Sequence, residues 1–324
     1  ITSQSVNTFK VGSISVTRPN TAEEFQVGKV LPIRWTASSN INLVNIHFST
    51  DNGTTWYNIA QNVSASAGSY DWTIINKPSS NCLIRVTDVT TDTSVTGCIR
   101  DLSDVTFKIK YLNVNLPNGN ETWKVGNNQN ITWSASSNIN NVNIYLSTNN
   151  GSTWSILLAN NITASTGSYL WSNIGNYPYN TCKIKVIDAS NNNIADSSDN
   201  SFKIGNISIV EPIAMSSYKT NSPMIIKWTS SSNVTAVNIY YSPDGISWTQ
   251  QIGSNIPSNS GTNEYSWVTP LTATNNAKIK IVDAQSGSTI EDISNTFRIT
   301  QLNIVSPVST DKWQVGTTKV ISWN

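Results

Sequence analysis

QNITWSASSN at 129–138 decides the fold of this chain, because the chain repeats it. The stretch recurs as LPIRWTASSN at 31–40 and as MIIKWTSSSN at 224–233, and a further copy begins as KVISWN at 319–324. Its tryptophans are 98, 95 and 95 residues apart, at Trp35, Trp133, Trp228 and Trp323. A period this long is the length of a domain rather than of a short solenoid repeat. The sequence therefore predicts three complete domains and incomplete ones at both ends.

Alternating side chains within each copy predict β-strands. In the first copy Val44, Ile46 and Phe48 fall on the inner face of a strand, and His47 and Ser49 fall on its outer face. Turn-forming clusters such as TDNGTT and TNNGST separate the strands. About seven or eight short strands per copy, without a helical period, indicate an immunoglobulin-like or fibronectin III-like β-sandwich. We therefore predict an all-β chain of tandem sandwiches.

The joints between copies are short. Each copy ends in TFKI, SFKI or TFRI, around Phe107, Phe202 and Phe297, and the next copy starts within a few residues. No Gly/Ser-rich or Pro-rich linker intervenes, which predicts a semi-rigid linear array. The expected divisions are a final strand of a preceding domain at 1–11, Ig-like domains at 12–110, 111–204 and 205–299, and the opening strands of a further domain at 300–324.

The two end fragments invite a comparison with strand complementation, in which one molecule completes another. Joined together, however, the fragments would still lack the strands equivalent to residues 44–88. We therefore expect this chain to be a piece of a longer array.

Composition excludes several function classes. Charged residues make up 12% of the chain and the net charge is +1, so neither nucleic acid nor a charged membrane surface is a predicted partner. No apolar run approaches the length of a membrane span. The chain is rich in Asn, Ser and Thr and holds 12 tryptophans. This composition favours an extracellular β-protein.

The three cysteines are too few for a disulfide framework. Cys82 and Cys182 occupy equivalent positions, and Ala277 stands there in the third copy, which indicates a small buried residue. Cys98 lies in an insertion peculiar to the first copy. A Cys82–Cys98 disulfide stays open, although a hairpin would hold the two residues too far apart.

The polar residues that could carry chemistry have structural interpretations. His47, the single histidine, has no second metal ligand or triad partner in the pattern. The recurrent Asp88, Asp188 and Asp283 are expected to cap turns. STDNGTTW at 49–56 fits the Asp-box hairpin pattern; Asp51 makes at most a weak calcium site, since Asn149 replaces it in the second copy. We predict no catalytic residue, no metal and no cofactor.

Aromatic residues divide into two sets. Trp35, Trp56 and Trp72 alternate with apolar residues and are predicted to be core. A second set, which stands beside a strand start, is expected to be partly exposed: Phe25, Trp123, Tyr218 and Trp313. Because exposed rings stack on sugars, Tyr145, Tyr240 and Trp123 are candidate glycan contacts. Candidate N-glycosylation sites follow from the Asn-x-Ser/Thr triplets: Asn52, Asn62, Asn120, Asn130, Asn150, Asn161, Asn206 and Asn233.

Three segments, at 116–154, 164–191 and 196–204, carry a resemblance to a known repeat type. They resemble the Ig-like tandem repeats of secreted and surface proteins of Bacteroidota-type bacteria, which are grouped with the Kre9/Knh1-like Ser/Thr-rich wall-protein domain. The resemblance implies spacers, stalks or surface-layer building blocks and offers no catalytic residue. The third copy departs from the pattern at 209–223.

These observations lead to two functional hypotheses. The first is a non-enzymatic, extracellular structural protein that forms a rod, stalk, S-layer or filament at the cell surface, with copies of itself or other surface proteins as partners. The alternative is an adhesin, or a carbohydrate-binding or spacer region of a larger secreted enzyme, with glycans as partners.

Overall fold

The structure, a computed structural model, describes residues 10–90 and 97–323. Nine strands form the first unit of this part of the chain: β1 (Ile14–Arg18), β2 (Glu24–Gln26), β3 (Val30–Ala37), β4 (Leu43–Ser49), β5 (Tyr57–Ser64), β6 (Ser69–Thr73), β7 (Ser79–Asp88), β8 (Arg100–Leu102) and β9 (Phe107–Lys110). Residues 1–9 of the predicted final strand at 1–11, and most of the predicted insertion before Cys98, lie outside the described residues.

The second and third units repeat the same order of nine strands. The second contains β10 (Leu112–Leu116), β11 (Thr122–Lys124), β12 (Gln129–Ala135), β13 (Asn141–Ser147), β14 (Ile156–Thr163), β15 (Ser168–Trp171), β16 (Lys183–Asp188), β17 (Asn191–Ser197) and β18 (Lys203–Gly205). The third contains β19 (Ile207–Glu211), β20 (Ser217–Lys219), β21 (Pro223–Ser230), β22 (Ala236–Ser242), β23 (Gln250–Pro257), β24 (Gly261–Val268), β25 (Thr274–Asp283), β26 (Glu291–Ile293) and β27 (Phe297–Thr300). Two further strands follow, β28 (Ile304–Ser306) and β29 (Ser322–Trp323).

Each unit is a sandwich of two layers. In the second unit one layer consists of two sheets, β14-β13-β16-β17 and β11-β18, which an isolated bridge between Cys182 and Phe202 connects. In the first unit one sheet has the order β1-β3-β6, and the other has the order β2-β9-β7-β4-β5 with β8 beside β7. The chain passes from the first sheet to the second after the cis peptide bond at Pro19, and β2 then pairs in parallel with β9. The described residues contain no α-helix. The chain therefore has the predicted all-β architecture of tandem Ig-like or fibronectin III-like sandwiches.

A buried tryptophan anchors the core of each unit. The indole Nε1 of Trp35 donates a hydrogen bond to the carbonyl of Ala65, 3.0 Å away, and Trp133 makes the same bond to Ala164 at 2.9 Å. Both acceptors begin short 3-10 turns, at Ala65–Ala67 and Ala164–Thr166. In the third unit Trp228 donates instead to the hydroxyl of Ser258. The bond satisfies the one polar atom of a ring that is otherwise packed among apolar side chains.

A bulge shapes the outermost strand of the larger sheet in every unit. Asn62 has a positive φ of 55° and its amide donates to the side-chain oxygen of Asn45. Asn161 with Asn143 and Asn255 with Asn238 repeat this arrangement. Asparagine tolerates the left-handed conformation that the bulge requires. The bulge twists an exposed edge that would otherwise be free to pair with another sheet.

Two predictions about side chains were wrong and one was confirmed. Trp56 is half-buried on the outer face of its sheet and belongs to no core cluster, because the chain leaves the hairpin there with the ring turned outward. Ser49 is fully buried rather than exposed. Cys82 and Cys182 are fully buried core residues, as predicted, and all three cysteines are free thiols.

Candidate functional site: the joints between units

A single residue separates consecutive units. Tyr111 lies between β9 and β10, and Asn206 lies between β18 and β19. The last strand of one sandwich therefore continues almost directly into the first strand of the next. Such a connection leaves little rotational freedom, and its geometry is fixed further by side chains from both units.

The first set of contacts that fixes the joint is made by Ser136 and Asn138, and we call it the Ser-x-Asn clamp. The Ser136 hydroxyl accepts a hydrogen bond from the Tyr111 amide at 2.9 Å and donates one to the side-chain oxygen of Asn138 at 2.6 Å. The Asn138 amide nitrogen in turn donates to the carbonyl of Ile109, 3.0 Å away in the preceding unit. The amide of Tyr111 and the carbonyl of Ile109 are thereby hydrogen-bonded, and the carbonyl of Tyr111 accepts from the Ser136 amide.

The same clamp recurs at the other joint and before the first unit. Ser231 accepts from the amide of Asn206 at 2.9 Å, and Asn233 donates to the carbonyl of Ile204 at 2.8 Å. Ser38 accepts from the amide of Ser13, and Asn40 donates to the carbonyl of Val11. The clamp is thus encoded by the S-S-N ending of the repeated phrase, three and five residues after the core tryptophan.

The second device is a buried ion pair. The Lys110 ammonium, from the last strand of the first unit, lies 2.7 Å from a carboxylate oxygen of Asp188 in the second unit. Both side chains are almost entirely shielded from solvent, at 3% and 2% exposure. A charge held in such a site is costly unless it is paired. The pair therefore ties the two units together.

Equivalent pairs form with Asp88 and Asp283. Lys203 lies 2.7 Å from Asp283 at the second joint, and Lys10 lies 2.6 Å from Asp88 before the first unit. In the sequence Lys10 and Lys203 directly follow a phenylalanine, whereas Lys110 stands three residues after Phe107. Since both positions fall on one face of a strand, either lysine reaches the same aspartate.

Glu24 completes the charge network of the first joint. Its carboxylate accepts hydrogen bonds from Lys110 at 2.7 Å, from Lys108 at 3.0 Å and from Asn191 at 3.0 Å. Burial alone would raise the pKa of Glu24, but these hydrogen bonds and the charge of Lys110 outweigh it and lower the pKa from 4.5 to about 2. Burial lowers the pKa of Lys110, but its hydrogen bonds to Asp188 and Glu24 and the charges of these two carboxylates outweigh burial and raise it. Glu24 and Lys110 are therefore both charged at neutral pH.

The third device differs between the two joints. At the first, the Gln26 side chain bonds both backbone groups of Ala195, with its nitrogen 3.0 Å from the carbonyl and its oxygen 3.1 Å from the amide. At the second, Lys124 stands in place of Gln26 and donates to the carbonyl of Glu291 and to Asp292. Each joint therefore has its own lateral contact in addition to the shared clamp and ion pair.

The recurrent aspartates have a second role that turn capping does not describe. Asp188 accepts a hydrogen bond from the amide of Ser190 at 2.9 Å, which is the predicted cap. Its other carboxylate oxygen receives Lys110. A signal for this role was present in the sequence, since each segment that was predicted to be a final strand before a complete copy carries a lysine. The aspartate and its lysine lie far apart along the chain, so the sequence pattern did not connect them.

The outer face of the larger sheet carries a repeated cation–aromatic cluster. Arg85 lies opposite His47 on the neighbouring strand, and its guanidinium lies 4.3 Å from the centre of the Trp56 ring. In the third unit the Lys280 ammonium lies 5.0 Å from Trp248 and 5.5 Å from Tyr240. Burial, reinforced by the charge of Arg85, lowers the pKa of His47. The histidine thus stands in the predicted outward position as a neutral ring.

The candidate glycan contacts separate into two groups. Tyr145 and Tyr240 are half-buried on the outer sheet faces, so part of each residue remains accessible. Trp123 is only 4% exposed and packs against Phe202, with ring centres 4.7 Å apart. Its assignment as a glycan contact was wrong, because the parallel pairing of β11 with β18 turns the ring into the core.

The candidate glycosylation sites also differ in accessibility. Asn52, Asn120 and Asn150 are exposed and have positive φ angles, so their recurrence has a structural cause in turn formation. The amide nitrogen of Asn233 already donates to the carbonyl of Ile204 in the clamp. A glycan on that nitrogen would break the joint.

The Asp-box segment is a hydrogen-bonded turn. Asp51 accepts from the side chain and the amide of Thr55 and from the Ser49 hydroxyl, and these bonds lower the pKa of Asp51 to about 2. Asn149 accepts the equivalent bonds from the Ser147 hydroxyl and the Thr153 amide, and its amide nitrogen donates to the Thr153 hydroxyl. The carboxylate is therefore replaceable by an amide in the same turn.

Residues 10–90 and 97–323 hold no cluster of three or more His, Cys, Asp or Glu side chains able to bind a metal ion. In the same part of the chain no helix has the length and apolarity to cross a membrane.

Comparison with known proteins gives no match to any family model and no match to a curated protein. Solved structures similar to this chain include the fibronectin(III)-like modules of Clostridium thermocellum CbhA, at 19% identity over 59% of this chain and 94% of that one, with a TM-score of 0.23. The I9–I11 tandem of titin is 9% identical over 89% and 99%, with a TM-score of 0.23. The FN1–FN3 domains of chicken CNTN1 are 12% identical over 83% and 95%, with a TM-score of 0.24. The fold assignment rests on the sheet topology.

Proposed function

We propose that this chain is part of an extracellular, non-enzymatic structural protein that builds a rod, stalk, S-layer or filament at a bacterial cell surface. The observation that carries the proposal is the recurrence of one joint, with its Ser-x-Asn clamp and its Lys–Asp pair, wherever two units meet. A protein whose task lay within single domains would have no need to repeat a fixed connection. The resemblance to Bacteroidota-type surface repeats supports the same setting.

The partners in this proposal are copies of the same protein or other surface proteins. The proposed domains remain those expected from the repeat, at 12–110, 111–204 and 205–299. Their length would set the reach of the rod, and the joints would set its direction.

Small-angle X-ray scattering of the full chain tests the rod. We expect one extended particle whose distance distribution fits a fixed arrangement of the units. Scattering that requires an ensemble of independently tumbling units would contradict the proposal. Electron microscopy at high protein concentration tests assembly, and a protein that stays monomeric removes the filament and S-layer from the proposal.

A second candidate function is adhesion or carbohydrate binding within a larger secreted protein. The supporting observation is the partial exposure of Tyr145 and Tyr240, which lie opposite Lys185 and Lys280 on the outer sheet faces. Glycan-array binding that is lost in Tyr145→Ala and Tyr240→Ala, but retained in a control variant of the exposed Tyr179, would support it. Absence of glycan binding would remove it.

A further inference from the structure

A cleft of about 330 Å³ lies at the first joint, on the outer face of the second unit. Lys29 enters it from the turn between β2 and β3 of the first unit. Trp154, Lys183 and Lys185 line it from the second unit, together with Asn150 and Asp196. Its volume is at the lower end of the range of about 300–1,000 Å³ that is usual for small-molecule sites.

The cleft has an excess of positive charge. Three lysines and one aspartate line it. The carboxylate of Asp196 is already engaged, since it accepts the backbone amide of Val114 at 2.7 Å. Lys183 donates to a backbone carbonyl, and the Lys185 ammonium lies 5.6 Å from the centre of the Trp154 ring. Within the described part of the chain, none of the three lysines has a carboxylate at ion-pair distance.

The second joint provides an internal comparison. Its corresponding cleft, of about 340 Å³, contains Lys124 together with Glu291 and Asp292. Lys124 lies 2.9 Å from Asp292, so its charge is neutralised. By alignment of the repeats, Asn127 stands in place of Lys29 and Glu291 in place of Ala195. The positive excess therefore belongs to the first joint and is not a consequence of the shared architecture.

We propose that the cleft at the first joint binds an acidic sugar. The ammonium groups of Lys29 and Lys185 would hold its acid group, the amide of Asn150 would bond its hydroxyls, and the exposed part of Trp154 would contact its apolar ring face. Because one lysine comes from the first unit and the other groups come from the second, the ligand bridges the joint. This site does not take part in the proposed structural role, and the sugar would be bound on the surface of the rod.

Titration calorimetry of the full chain with three trisaccharides at low ionic strength tests the site. The galacturonate trisaccharide carries carboxylates, the sulfated galactose trisaccharide carries sulfates, and the unsulfated galactose trisaccharide is the neutral counterpart. We expect at least one acidic oligomer to bind with one site per chain and the neutral oligomer not to bind. The oligomer that binds identifies the acid group.

The double variant Lys29→Gln/Lys185→Gln should weaken this binding by about tenfold or more. Lys278→Gln is the control, because it removes one lysine charge from a sheet face of the third unit that lies outside both clefts. The variant Asn127→Lys/Glu291→Ala should raise the stoichiometry from one site to two. Thermal melts verify that each variant is folded.

The proposal is overturned if neither acidic oligomer binds, or if Lys278→Gln weakens binding as much as the double variant does. It is also overturned if inorganic phosphate binds with the same affinity, since the cleft would then recognise an anion and not a sugar.

Discussion

The ammonium of Lys110 lies 2.7 Å from the carboxylate of Asp188, although 78 residues separate them and they belong to different sandwiches. The lysine ends the last strand of one unit, and the aspartate ends a central strand of the next. Their contact couples the fold of the second unit to the orientation of the first. The joint is therefore a structural element with its own stability.

Lys110→Ala should destabilise this joint strongly. The substitution leaves Asp188 buried without its ammonium partner, and breaking a buried pair in this way costs about 3–5 kcal/mol. Urea unfolding of the full chain, followed by fluorescence, measures the loss. Lys203→Ala should have a comparable effect at the second joint. The exposed Lys219 is the matched control, and an equal loss in Lys219→Ala would refute a special role for the pair.

Asn138→Ala should loosen the orientation of the first two units more than it destabilises either one. It removes the hydrogen bond to the carbonyl of Ile109, which is worth about 1–2 kcal/mol when the acceptor stays buried. Residual dipolar couplings should show wider interdomain motion, and the amide of Tyr111 should exchange faster as the clamp opens. Ser137→Ala alters the exposed residue beside it, and unchanged couplings are expected there.

The fold could be predicted because residues on the two faces of a strand alternate along the sequence. Val44, Ile46 and Phe48 alternate within a single strand, and all three are buried as the alternation predicts. Repetition strengthened the prediction, since Trp35 and its equivalents recur at the period of a whole domain. These features depend only on neighbours along the chain.

The joints and the orientation of some aromatic rings could not be predicted, because they depend on contacts between residues that are far apart in the sequence. Asp188 looked like a turn cap, because its partner Lys110 lies in the preceding unit. Trp123 looked accessible, since nothing in its own short strand reveals that β11 pairs with β18 and turns the ring against Phe202. Trp56 looked buried because the alternation of apolar residues was extended through a turn that reverses it.

The first joint should weaken in acid. Glu24 has a pKa of about 2 in the folded chain against an ordinary value of 4.5. Because the folded value is the lower one, its stabilising contribution is present above about pH 4.5 and is lost as the pH falls towards 2, to a total of at most about 3 kcal/mol. Urea unfolding between pH 6 and pH 2 measures this loss.

Glu24→Gln separates this contribution from general acid denaturation. The variant should be less stable than the wild type at neutral pH, and the difference should shrink as the pH falls towards 2. Glu264, which is largely exposed, is the matched position for comparison. A difference that stays constant over the same pH range would show that the carboxylate of Glu24 does not control the joint.

Trp35→Ala should destabilise the protein much more than Trp56→Ala, although both tryptophans were predicted to be core residues. Trp35 is 3% exposed and bonds Ala65, so its loss should cost about 3–5 kcal/mol. Trp56 lies on the outer face beneath Arg85, where a cation–aromatic contact contributes about 1 kcal/mol. Urea unfolding of the two variants gives the comparison directly. Equal losses of stability would mean that the outer aromatic cluster stabilises the sandwich as much as the core does. A small loss of stability in Trp56→Ala would mean that the sandwich does not depend on this outer surface, which could then serve recognition.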